Sequence, residues 1–450
     1  MTYLLHPAAM KLFFSAPDDQ IAFRPATEHF TNRVFGLPSH LFFPHHTALL
    51  QGLRAQLTPA QLPHHAHGLL LGLENHAKGV MHTSGKVDLM SCIKQILFPA
   101  ALDSIFGAAF LQHHGSQPLQ KAFFAFEEGF ELAASPVPHF LQPSFCQGRR
   151  ALLEAFRISW AEGHFEGTVV GRLLESAPEL HSIAPNVLLA LLWASLANTV
   201  PATYWALAFL LLPDNAHHKQ HILSSTQPGG SHSTSHPSPA QQQEVDDASR
   251  SRLVGVACDR TSLLAACVAE AVRLRAPGIA VRMAACNLAV PAGHHTTVHV
   301  HKGDMLAVSP YESHHDERFF QPHPAGYDPL RGGLQCPGAG LHEVPGVGGI
   351  AGLVFGGGRY RCPGRFFAEM EMALTVGFLL THWDMQLVSC QGKAWQAAST
   401  NSPGSSGLQS GEAAAPQKKP SGDPHGLLPL PETRRQVGIR WPQSVCAVLY

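Results

Sequence analysis

The amino-acid sequence predicts a mainly α-helical fold with small β-sheets, and three observations carry that expectation. Long Ala/Leu/Phe-rich runs recur along the chain, strand-like alternation is confined to short pieces, and one run without charge is long enough for a buried central helix. The chain has 450 residues, more than the size at which one core usually stops growing, so it suits one large domain or two. We read it as a single domain spanning 1–450, broken by two inserts.

Along the chain, helical segments are expected at 89–112, 120–132 and 150–166, where apolar residues recur at helical spacing. From Val187 to Leu212 no residue is charged, which by length alone meets the criterion for a membrane span. Ser195, Asn198 and Thr199 lie near its middle and Pro201 comes next, so a lipid-facing helix would carry a polar notch and lose a backbone hydrogen bond. A helix buried in protein, its notch facing a cavity, is the better expectation. The stretches 224–251 and 399–426 are rich in Ser, Pro, Gly and Gln and cannot bury enough surface to offset their ordering entropy, so both are expected to be disordered. Strands are expected within 279–308, with turns at Pro291-Ala292-Gly293 and Lys302-Gly303-Asp304, and an apolar helix over 366–383.

Composition excludes several function classes. Thirty-one Lys and Arg balance 32 Asp and Glu, leaving no positive field for a nucleic-acid backbone. The nine Cys are scattered without a CxxC pair, against a disulfide framework or structural zinc and in favour of a reducing compartment. His45-His46 and His217-His218 lack a repeated ligand spacing. The N-terminal residues Met1 to Pro7 show neither a basic region nor an apolar run that would make a signal or anchor.

The most informative text runs from Phe355 through Gly356, Gly357, Gly358, Arg359, Tyr360 and Arg361 to Cys362-Pro363-Gly364. Glycines permit a close backbone approach to a planar group. The apolar helix after it places Cys362 near a helix N-terminus, where backbone N–H groups favour a thiolate. Such a thiolate can ligate ferric haem and push electron density toward the iron. A second tripeptide, Cys336-Pro337-Gly338, lacks both the glycine-rich lead and the helix.

This run resembles the haem-binding signature of the cytochrome P-450 superfamily, whose fold is an α-rich triangular prism around a buried haem. Two further landmarks keep the family's order. Glu270-Ala271-Val272-Arg273 resembles its ExxR motif, in which side chains three apart share a helix face. Glu154/Arg157 and Glu432/Arg435 match the spacing too, but only Glu270 precedes the turn-and-strand region. Tyr327-Asp328-Pro329-Leu330-Arg331 resembles the Phe-x-Pro-x-Arg element, so Arg331 would complete a structural Glu-Arg-Arg cluster.

The resemblance implies haem b with Cys362 as axial metal ligand, and Phe355, Gly356, Gly358 and Arg361 forming the cofactor loop. Arg282 matches the position that contacts a haem propionate, against the alternative of a solvated strand residue. The family's usual basic residue two before the Cys is replaced by Tyr360. The central helix lacks the usual acid–alcohol pair, reading Asn198-Thr199-Val200-Pro201, which is similar to sterol 7α- and 12α-hydroxylases and prostacyclin synthases. By that match Asn198 would organise water on the oxygen side, with Thr199 the weaker candidate. Within the group the chain looks most like oxysterol 7α-hydroxylases acting on 24-hydroxycholesterol. Phe123, Phe124, Phe126 and Phe130 are candidates for an apolar sterol channel or for plain core.

By this resemblance the chain is expected to be a sterol monooxygenase of cholesterol catabolism and bile acid synthesis. It would use molecular oxygen and a separate NADPH-cytochrome P-450 reductase at the cytosolic face of the endoplasmic reticulum membrane. An isomerase of the prostacyclin synthase type and an inactive haem-binding fragment remain alternatives. The family's N-terminal anchor and first sheet segment are not visible, so truncation is expected, with Arg54 standing in for the Arg of an absent Trp-x-x-x-Arg pattern.

Overall fold

The computed structural model describes residues 1–80, 87–227, 239–293, 296–320, 322–331 and 350–387. Short strands β1 (Thr2–Tyr3) and β2 (Ile21–Ala22) come early, and β3 (Ala280–Ala284), β4 (Leu288–Gly293), β5 (Thr296–Val300) and β6 (Met305–Val308) fall within the stretch that the sequence marks for strands. They form a four-stranded sheet in the order β1-β6-β3-β2 and a separate β4-β5 pair; β1 runs parallel to β6 and the other pairings are antiparallel. In β3 the period of two puts Ala280, Arg282 and Ala284 on the buried face. That face packs on Phe13, Met10 and Leu353 in a small core of its own.

The larger core is helical. Helix Leu263–Arg275 begins at Ser262, whose hydroxyl accepts the Ala265 N–H at 3.1 Å, and it packs against Thr199–Leu210 and Arg365–His382. This three-helix contact brings the central helix, the ExxR helix and the helix after Cys362 together.

Several expected helices are divided. The 89–112 segment is Leu89–Phe106 and Ala108–His114, split at Gly107, whose φ of 87° ends the first helix. The 120–132 segment is Ser116–Glu128 and Phe130–Ala134, and that at 150–166 is Pro143–Ala161, starting earlier at a Pro suited to the first turn. The uncharged run is Ala184–Leu196 and Thr199–Leu210, with a turn at Ala197–Asn198. Pro201 causes no loss there, because at the third position of the new helix it has no intrahelical acceptor to forfeit. Leu89–Phe106 and Pro178–Leu210 are long and apolar enough to cross a membrane, but 56% and 61% of their most apolar windows are buried within the fold.

The insert expected over 224–251 needs correction. Helices Ala216–Thr226 and Pro239–Cys258 take up both flanks, and only 228–238 lies outside the described residues. Tertiary contacts override composition here: Leu253, Val254 and Ala257 are buried, and Arg250 donates to both oxygens of Glu74 at 2.7 and 3.1 Å. The insert at 399–426, Cys336, Glu432, Arg435 and the chain's last residues lie outside the described residues.

Candidate active site

A short loop presents Cys362. Its backbone N–H donates to the Phe355 carbonyl at 2.9 Å, closing the turn that Gly356 and Gly358 make with φ of 71° and 64°. A Cβ at Gly358 would clash with the Phe14 carbonyl oxygen, so only glycine lets the loop lie against helix Pro7–Ser15. From the opposite side Arg54 donates to the carbonyls of Arg359 at 2.8 Å and Arg361 at 3.4 Å. Arg54 therefore holds the loop through its backbone.

The Cys362 residue is half-buried but its sulfur sits deep. Burial pushes the thiol up to about 11, while the Gly364 N–H and the Arg365 and Arg361 guanidinium groups pull the other way. The thiolate expected from the sequence is that of the haem-bound side chain. Desolvation outweighs the helix-end effect, so the metal-free side chain is a thiol, and a bound cation would have to displace its proton. Arg361 is itself lowered to about 10 by burial, with Arg365 beside it.

Arg282 projects from the buried face of β3 toward this loop. Its guanidinium carbon lies 4.7 Å from the Phe23 ring centre and 4.9 Å from that of Tyr360. It is 4% exposed, and burial lowers it to about 10. Its one hydrogen bond among the described residues goes to the adjacent Val281 carbonyl at 2.8 Å. The alternative of a solvated strand Arg is thus excluded. Tyr360 stacks on Phe23 at 4.4 Å and donates to Asp18 at 2.9 Å. His46, lowered to about 4 by burial, stacks on Phe23 and Tyr360, which gives it a place in an aromatic pile and not in a metal site.

Behind the loop, Arg273 makes a bidentate pair with Glu270, both bonds at 2.7 Å and both side chains fully buried. Arg273 also donates to the carbonyls of His314, Pro324 and Gly326. Arg331 approaches Glu270 at 3.6 Å and donates to the carbonyls of His323 at 3.1 Å and Gly326 at 2.9 Å. The Asp328 N–H donates to Glu270 at 3.1 Å. The cluster folds 314–331 onto helix Leu263–Arg275. Glu154 and Arg157, at the same spacing, pair on an exposed surface instead.

Asn198 sits at the break in the central helix and is half-buried. Thr199 comes next, 4% exposed, its hydroxyl donating to the Ser195 carbonyl at 2.8 Å. Facing it from helix Arg365–His382 is Glu371, 1% exposed. Burial pushes the Glu371 carboxyl up to about 8, with a hydrogen bond to the Thr199 side chain acting in the opposite direction. Among the described residues its Oε1 has no hydrogen-bond partner. At neutral pH this is a carboxylic acid beside a hydroxyl. Sequence reasoning missed it, although a single acid within Met370-Glu371-Met372-Ala373 on an otherwise apolar helix face was the available signal.

The four phenylalanines belong to the packed core. Phe123 packs on Phe98, Phe126 stacks on Phe145 at 5.2 Å and Phe130 on Trp193 at 4.2 Å, while Lys94 caps Phe124.

These residues fit a haem. They offer a soft sulfur donor at a loop that glycine allows close to its neighbours. They also offer a buried guanidinium that, among the described residues, has no hydrogen-bonded carboxylate and so suits an anionic tail. Comparison with known proteins agrees. A family model described as Cytochrome P450 matches residues 242–396. The chain is 26% identical to the 24-hydroxycholesterol 7-alpha-hydroxylase of Mus musculus over 82% of its own length and 74% of that protein's. It is 23% identical to the Homo sapiens protein of the same name over 86% of the chain and 78% of the relative. Similarity to the 5-beta-cholestane-3-alpha,7-alpha-diol 12-alpha-hydroxylase of Sus scrofa is 27% over 44% of the chain and 38% of the relative. With a cysteine loop, an ExxR cluster, a family match over 242–396 and sterol hydroxylases among its relatives, the chain is similar to the cytochrome P450 family, whose haem iron takes a cysteine thiolate ligand.

Proposed function

We propose that this chain inserts oxygen into a sterol C–H bond, at the 7α position of an oxysterol such as 24-hydroxycholesterol, and that the Cys362 sulfur would hold the haem iron. When bound, the haem supplies oxygen activation and the oxidation itself. The protein's part is to hold the group, exclude water and deliver protons. In this reading Phe355, Gly356 and Gly358 shape the loop at the sulfur, Arg282 and Arg361 neutralise the carboxylate tails, and Glu270, Arg273 and Arg331 lock the loop's support.

The observation that carries the reading is the Thr199–Glu371 contact. Most of the family takes its acid from the central helix, and here that helix has none. Glu371 holds a proton at its carboxyl at neutral pH and can pass it to the Thr199 Oγ1 as that hydroxyl turns from the Ser195 carbonyl and gives its own proton to water ordered by Asn198 at the helix break. A proton-delivering pair serves monooxygenation and has no evident use in isomerisation, which favours the hydroxylase over the prostacyclin synthase type. Electrons would come from NADPH-cytochrome P-450 reductase at the endoplasmic reticulum membrane. Substrate class is tested by titrating ferric protein with cholesterol, 24-hydroxycholesterol and a prostaglandin endoperoxide while recording the Soret band. The tightest shift is expected with 24-hydroxycholesterol, together with a reductase-dependent 7α product. A shift with the endoperoxide alone, and turnover without reductase, would reverse the assignment.

A further inference from the structure

A surface cluster far along the chain from Cys362 has the geometry of a metal site. His113 lies in the last turn of Ala108–His114, Glu162 caps the end of Pro143–Ala161, and Gly163, with φ of 74°, turns the chain so that His164 comes back beside both. Glu162 Oε2 stands 3.6 Å from His113 Nδ1 and 3.4 Å from His164 Nε2, and the three ligand atoms all lie within 4.8 Å of one another. Ligand atoms around a tetrahedral Zn²⁺ with bonds of about 2.0–2.1 Å are separated by about 3.3–3.4 Å. Two edges of the triangle are therefore already close to the required length.

The support beneath is built from hydrogen-bonded side chains. Ser159, fully buried, places its Oγ 3.1 Å from His164 Nδ1 and 2.9 Å from His114 Nε2. His114 is also bonded to the Ala155 backbone. With the Ser159 hydroxyl proton directed to His114 Nε2, Ser159 can accept the Nδ1 proton of His164. This relay leaves the lone pair of His164 on Nε2, the atom that faces Glu162. Phe110 stacks on Phe156 at 5.0 Å and packs on Phe165 at 5.3 Å, fixing the two helices below the cluster. Both helices end here, and their C-terminal carbonyls favour a cation.

We propose that His113, Glu162 and His164 bind a borderline first-row divalent cation of the Zn²⁺ type, with solvent completing the shell, and so tie Ala108–His114 to the end of Pro143–Ala161. The donor set of two imidazoles and one carboxylate suits zinc over Mg²⁺ or Ca²⁺, which take oxygen. The test uses haem-loaded protein dialysed against Zn²⁺ in excess Mg²⁺, with bound zinc counted by atomic emission and Tm recorded. Wild type is expected to retain about one equivalent more zinc than Glu162→Gln or His164→Ala and to gain Tm on zinc addition, as binding to the folded state alone requires. Ser159→Ala is expected to weaken zinc affinity by about 10- to 100-fold, as loss of a supporting hydrogen bond does. His217→Ala, outside the cluster, should change neither readout. Equal zinc content and an equal Tm rise in wild type, Glu162→Gln and His164→Ala would overturn the assignment and leave a plain His–Glu ion pair.

Discussion

Replacing Glu270 by Ala is expected to destabilise the protein by about 3–5 kcal/mol, the range for stripping one partner from a buried charge cluster. Arg273 would be left fully buried with only carbonyl acceptors, and Arg331 would lose its nearest carboxylate. The loss amounts to about a fifth or more of a typical domain's stability, so the variant should be recovered partly unfolded or depleted of haem. Urea unfolding monitored by far-UV circular dichroism measures it. Glu154→Ala is the control: it has the same residue type and the same spacing to an Arg, but an exposed pair, and its midpoint should match wild type. Equal midpoints for Glu270→Ala and Glu154→Ala would show that the buried cluster is not what holds 314–331 in place.

Glu371→Gln is expected to lower kcat by about 10²-fold, the lower end for loss of a positioned general acid, while the carbon-monoxide spectrum stays that of wild type. A shape-conserving amide keeps the hydrogen bond to Thr199 but cannot surrender a proton. The same substitution has a signature in stability. The folded carboxyl titrates near 8 and the unfolded one at its ordinary value of 4.5. Below the lower value both states are protonated and the group contributes nothing to the pH dependence. As pH rises between the two, the unfolded chain releases its proton while the folded one keeps it, so the wild type loses stability across that window. Gln does not titrate. The stability difference between variant and wild type should therefore shift in favour of Glu371→Gln from about pH 5 to about pH 8, measured by urea midpoints. A constant difference across that range, together with unchanged kcat, would remove Glu371 from the proton path.

Much of this architecture is legible in the sequence where a rule couples local text to tertiary need. Glu270 and Arg273 stand out from equally spaced decoys because a turn-and-strand region comes directly after them, and the structure brings Arg331 to them from the far side of that region. By residue type alone Arg282 is evenly balanced between cofactor contact and solvent. The strand's alternation, set between Ala280 and Ala284, places it inside. Other features depend on contacts that no local reading shows. Glu371 meets Thr199 only because helix Arg365–His382 crosses the central helix, and Asp18 reaches Tyr360 from the opposite end of the chain. The depth at which the Cys362 sulfur is buried escapes a sequence reading for the same reason, whereas the helix end beside it can be seen in sequence. Residues 239–251 look too polar to fold, yet they extend a helix that Leu253, Val254 and Ala257 anchor.

The central claim is that Cys362 is the sulfur ligand of the haem. A carbon-monoxide difference spectrum of the dithionite-reduced protein tests it most directly, with Cys362→Ala alongside. Ligation by Cys362 predicts the strongly red-shifted Soret band of a thiolate-ligated haem in wild type and its loss in Cys362→Ala. A wild type lacking that band, or a Cys362→Ala variant that keeps it, would contradict the assignment.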